Sequence, residues 1–117
     1  MDVITKLQKL AYSTERAYSD WAEYNETAMN LEELRKPFLK QLEQQYVESN
    51  SDRKISVAET ERAAYANRDY EAYIKGMTAA RKQANVQLAE FRRLKMEWEG
   101  VRSGVAYKRE LVKQNIE

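Results

Sequence analysis

Apolar residues recur three and four positions apart along most of this chain. The first series runs Leu7, Leu10, Ala17, Trp21, Tyr24, Ala28, Leu31, Phe38 and Leu42, broken only by Thr14, Arg35 and Gln45. That spacing returns side chains to one face of an α-helix and predicts a packed helical arm over about residues 2–47. Ala11, Tyr18, Leu39 and Tyr46 widen the stripe into the kind of face a bundle buries. Pro37 interrupts it. A proline inside a helix removes a backbone donor and crowds the carbonyl four residues back, so a kink or a fresh start is expected near Lys36.

The periodicity stops at Glu48-Ser49-Asn50-Ser51-Asp52-Arg53-Lys54, a polar run rich in turn formers, which places a turn over about 48–55. Ser56-Val57-Ala58-Glu59 then matches a capping box, and a short helix over about 56–65 should follow. Asn67 is a second N-cap candidate. Beyond it the seam resumes through Tyr70, Tyr73, Met77, Ala80, Ala84, Phe91, Leu94, Trp98, Val101, Val105 and Val112, predicting a second arm over about 67–114. Gly100 and Gly104 are expected to loosen its last turns, since glycine inside a helix costs about 1 kcal/mol relative to alanine.

Composition narrows the function classes. The 117 residues contain no Cys and no His, which removes disulfides, thiol chemistry, the usual general base and the usual zinc ligand. Only 3 Gly and 1 Pro are present, too few turn formers for a many-stranded sheet. The fold class is therefore all-α: a long antiparallel, coiled-coil-like helical hairpin with a short intervening helix, read as a single domain. Two arms alone bury little surface for a chain of this size, so a homo-oligomer, a dimer or higher, is expected to complete a bundle. The core residues expected within the hairpin or between copies are Leu10, Trp21, Leu31, Phe38, Leu42, Met77, Phe91, Leu94, Trp98 and Val101.

No secretory signal pattern opens the sequence and no apolar run approaches a bilayer span, so a cytoplasmic protein without a membrane partner is expected. The net charge is only +1, but residues 1–60 sum to −3 and residues 61–117 to +4. Arg81, Arg92, Lys95, Arg102, Arg109 and Lys113 are spaced so that they share broadly one side of the second arm, a stripe of about 50 Å if the helix holds. Such a stripe could follow a phosphate backbone, or could pair with the acidic first arm. Tyr12, Tyr65 and Tyr107 lie off the seam and are the aromatic candidates for contacts, Tyr107 on the same arm as the stripe, since rings next to arginine can stack on unpaired bases. Most other aromatics lie on the seam and are explained by packing.

Catalytic chemistry finds little to work with. Glu23 and Glu26 lie one turn apart, a spacing that helical bundles use for divalent metals, but the second arm offers only the scattered Asp69, Glu71, Glu97 and Glu99. Glycine-rich phosphate loops are missing. The expectation is a non-enzyme with no cofactor and no metal.

Three stretches carry a resemblance: Leu34-Arg35-Lys36-Pro37-Phe38-Leu39-Lys40-Gln41-Leu42-Glu43, Ser56-Val57-Ala58-Glu59-Thr60-Glu61-Arg62-Ala63-Ala64-Tyr65-Ala66, and Trp98-Glu99-Gly100-Val101-Arg102-Ser103-Gly104-Val105-Ala106-Tyr107-Lys108-Arg109-Glu110. Their order is similar to small coiled-coil proteins encoded in the early regions of tailed bacteriophages and prophages. What the resemblance implies is an accessory of phage DNA recombination or replication in the host cytoplasm, with a protein partner from the recombination machinery and single-stranded DNA as a further ligand. The alternative it implies is a small inhibitor that binds and blocks a host defence or nuclease protein. It carries over no catalytic residues.

Overall fold

The computed structural model describes residues 2–116. Three helices follow one another: α1 (Val3–Ser49), α2 (Val57–Tyr65) and α3 (Arg68–Ile116). Among the described residues there is no strand, and the fold is an all-α helical hairpin.

Local chemistry explains where each helix starts. Asp2 accepts the backbone N–H of Thr5 at 2.9 Å and its hydroxyl at 3.1 Å, closing the open end of α1. At α2 the Ser56 Oγ accepts the N–H of Glu59 at 3.1 Å, as the capping-box pattern predicts. The reciprocal half of that box is not formed; the Glu59 carboxylate turns to Arg53 and Tyr46 instead. Asn67 caps α3 through a 2.7 Å bond from the N–H of Asp69.

Both long helices are continuous. α1 passes through Pro37 without a break, so no fresh start occurs near Lys36. Glu33, whose carbonyl loses its donor there, and Pro37 itself are both exposed, so water can replace the missing bond, while Leu39 and Leu42 hold the following turn on the buried side. α3 likewise runs unbroken across Gly100 and Gly104 to Ile116.

The chain forms two compact units. Unit 2 comprises Asn25–Gln83 and contains the turn, α2 and the adjoining stretches of α1 and α3. Its core is Leu39, Leu42, Ala64 and Tyr70, with Phe38 and Ile74 packed against it. Phe38 stacks on Tyr73 at 4.7 Å between ring centroids, and the Tyr73 hydroxyl donates to the Leu31 carbonyl at 2.6 Å. The Arg35 guanidinium donates to the Tyr70 hydroxyl at 3.0 Å. At the turn, Arg53 bonds both Glu59 carboxylate oxygens, at 3.2 and 2.6 Å, and Tyr46 donates its hydroxyl to Glu59 at 2.7 Å.

Unit 1 comprises Met1–Tyr24 and Ala84–Glu117. Its buried positions are Leu10, Ala17 and Ala84. Tyr18 brackets the pairing of its two helices, with Trp21 at 5.6 Å on its own helix and Phe91 at 5.3 Å on the opposite one. In both units higher numbers on α1 meet lower numbers on α3, so the pairing is antiparallel.

Only Leu10 and Leu42 of the expected core are buried in the single chain. Trp21, Leu31, Phe38, Met77, Phe91, Leu94, Trp98 and Val101 are half-buried. Two facing helices cover one side of each ring or branched chain and leave the other side wet. Half of the buried positions belong to alanines that fit between the backbones, Ala28 and Ala84 at 0% exposure among them.

Candidate functional site

The basic residues of α3 divide into two kinds. Arg81, in unit 2, is committed within the chain: it forks onto Glu32 at 2.7 and 2.9 Å and donates to the Asn25 side-chain carbonyl at 2.8 Å. The Arg81 hydrogen bond holds the Glu32 carboxyl below its ordinary value. That is the pairing of acidic first arm with basic second arm, and it takes Arg81 out of any line of available cations.

The other five, Arg92, Lys95, Arg102, Arg109 and Lys113, all lie in unit 1. At 100° per residue they fall within about a 100° arc, on one flank of the seam that carries Phe91, Leu94, Trp98 and Val105. None of the five makes an ion pair among the described residues. Arg102 instead places its guanidinium carbon 5.4 Å from the Trp98 ring centroid, a cation–π contact that fixes the charge next to the seam. The neighbouring Arg93, off this flank, is occupied by Glu90 at 2.7 Å and Glu97 at 3.4 Å on its own helix. Its hydrogen bond lowers the Glu90 carboxyl from the ordinary range.

Tyr107 is exposed and makes no ring contact or side-chain bond among the described residues. Helical rotation sets it well away from the arc of five cations, so the structure does not bring it to the stripe. Glu23 and Glu26 do not assemble with other acids: no group of three or more potential metal ligands occurs among the described residues.

Two features escaped sequence reasoning. One is the Tyr46–Arg53–Glu59 cluster, whose signal was an arginine and a glutamate six residues apart across a turn. The other lies at the chain ends of unit 1, where residues of α1 and α3 line a groove of about 570 Å³. Val3, Ile4, Leu7, Val105 and Val112 form its floor, with Lys108, Arg109 and Lys113 also lining it. Among the described residues no acid lines it.

Several large apolar side chains are exposed: Ile4, Tyr12, Leu34, Val57, Tyr65, Met96 and Tyr107 are all more than half exposed. No helix is long and apolar enough to cross a membrane among the described residues. A comparison with known protein families, with curated proteins and with solved structures finds no match.

Proposed function

We propose that the protein is a non-enzymatic helical accessory that self-associates and works through protein contacts, in the recombination or replication of phage DNA, with single-stranded DNA as a further ligand of α3. The observation that carries the self-association is the row Phe91, Leu94, Trp98 and Val101 on α3, large apolar side chains that stay half-buried in the single chain and supply the apolar centre an interface needs. The phage setting comes from the sequence resemblance. The DNA contact is supported by the five cations on one flank of α3 that make no ion pair among the described residues, which suit weak, sequence-independent, salt-sensitive binding.

The test has two arms. Light scattering at micromolar protein should give at least twice the 13.8 kDa chain mass; the single-chain mass would overturn self-association. Binding of a labelled single-stranded oligonucleotide at low salt should disappear in the Arg92→Glu/Arg102→Glu variant while the oligomer persists. If wild type binds no DNA at low salt, the cations serve a protein partner, and the helical inhibitor of a host defence or nuclease protein becomes the better reading.

A further inference from the structure

The groove at the chain ends of unit 1 combines three properties among the described residues: an aliphatic floor, a basic rim and no acid in its lining. Lys108, Arg109 and Lys113 are exposed and make no ion pair among the described residues, so they give the groove a positive rim. Ile4 at 70% and Val112 at 56% exposure leave the floor wet in the single chain. We infer that this groove docks an amphipathic helix of a partner protein, apolar on one face and lined with Asp or Glu along its flanks. The inference deepens the protein-contact half of the proposed function and rests on that reading.

Shape and charge select this occupant. A trough between two helices fits a third cylinder of about 10–12 Å diameter, whose side chains at i, i+3, i+4 and i+7 would fill the floor while its acidic flanks meet the three cations. A second copy using the same patch would set three cations against three, because a two-fold interface brings each surface onto itself. Nucleic acid would find phosphate contacts on the rim but no aromatic ring in the groove on which to stack a base. A bilayer presents a flat face, and the floor lies in a concavity between the helices.

The experiment uses the full chain and a fluorescent synthetic helical peptide with Leu at i, i+3, i+4 and i+7 and Glu on both flanks. Fluorescence anisotropy should show saturable binding that weakens with salt. The Lys108→Glu/Arg109→Glu/Lys113→Glu variant should bind at least about tenfold more weakly, because it reverses the complementary rim. Val112→Asp, at an exposed position, should do the same with its helical circular dichroism unchanged. Equal binding of a scrambled peptide of the same composition, unchanged binding by the triple variant, or displacement of the peptide by phosphatidylglycerol vesicles that sediment the protein would each overturn the inference, the last in favour of a lipid surface. Light scattering on the same samples separates the two readings. A monomer that binds the peptide overturns self-association alone, whereas an oligomer that ignores it overturns this docking site alone.

Discussion

Arg81 and Glu32 meet in a two-pronged ion pair, Nη2 to Oε1 at 2.7 Å and Nε to Oε2 at 2.9 Å, across 49 residues of sequence. A planar guanidinium can satisfy both carboxylate oxygens at once; an ammonium cannot. Arg81→Lys keeps the charge and loses the fork together with the bond to Asn25, so its melting temperature should fall below wild type. Arg81→Ala should fall further. Equal melting of Arg81→Lys and wild type would show that the fork adds nothing beyond its charge.

Leu42 and Trp98 should respond differently to truncation. Leu42, 2% exposed within unit 2, should lose about 2–5 kcal/mol as Leu42→Ala in denaturant unfolding. Trp98 is half-buried in the single chain. A Trp98→Ala loss that grows with protein concentration would mean a second copy covers the ring; a small, concentration-independent loss would mean it stays wet.

Gly100 and Gly104 lie inside α3, and a Cβ built on either meets nothing within 4 Å. Alanine there reduces the freedom of the unfolded chain and adds no clash. Each substitution should raise stability by about 0.4–1 kcal/mol, read from chemical denaturation. A loss would show that this stretch packs against something outside the single chain.

Glu59 ties the turn to acid stability. Hydrogen bonds from Arg53 first, and from Tyr46 second, lower its carboxyl from the ordinary 4.5. A depressed carboxyl contributes stability that is present above its unfolded value and lost as pH falls through the folded one. Wild type should therefore lose more stability than Glu59→Gln as pH drops below about 4.5. Parallel pH–stability curves for the two proteins would remove Glu59 from the acid transition.

Three helices and two of their caps were legible because they depend on local signals: period, polar turn residues, and Ser56 and Asn67 at the starts. The seam was less so. Between Trp21 and Ala28 a step through Tyr24 and a step through Asn25 both satisfy helical spacing, and hydropathy prefers the tyrosine. In the structure Tyr24 is 42% exposed and Asn25 is half-buried, bonded to Arg81 from the other arm. That choice depends on the register between two distant stretches, which one helix's period does not contain. The same holds for the basic stripe. Its spacing was visible, but the partners that occupy Arg81 belong to the pairing of α1 with α3, and Arg92, Lys95, Arg109 and Lys113 make no ion pair among the described residues. The groove at the chain ends needed that pairing too, since its floor comes from residues about 100 positions apart.

Ala17, Ala28, Ala64 and Ala84 make up half of the buried set among the described residues, and no large side chain is fully enclosed. The terminal turns around Val3 and Val112 bury less still, since both valines are exposed, and such turns can open locally without unfolding the rest. Proteases cut where such opening exposes backbone. An occupant of the groove, as inferred above, would therefore slow cleavage at those turns.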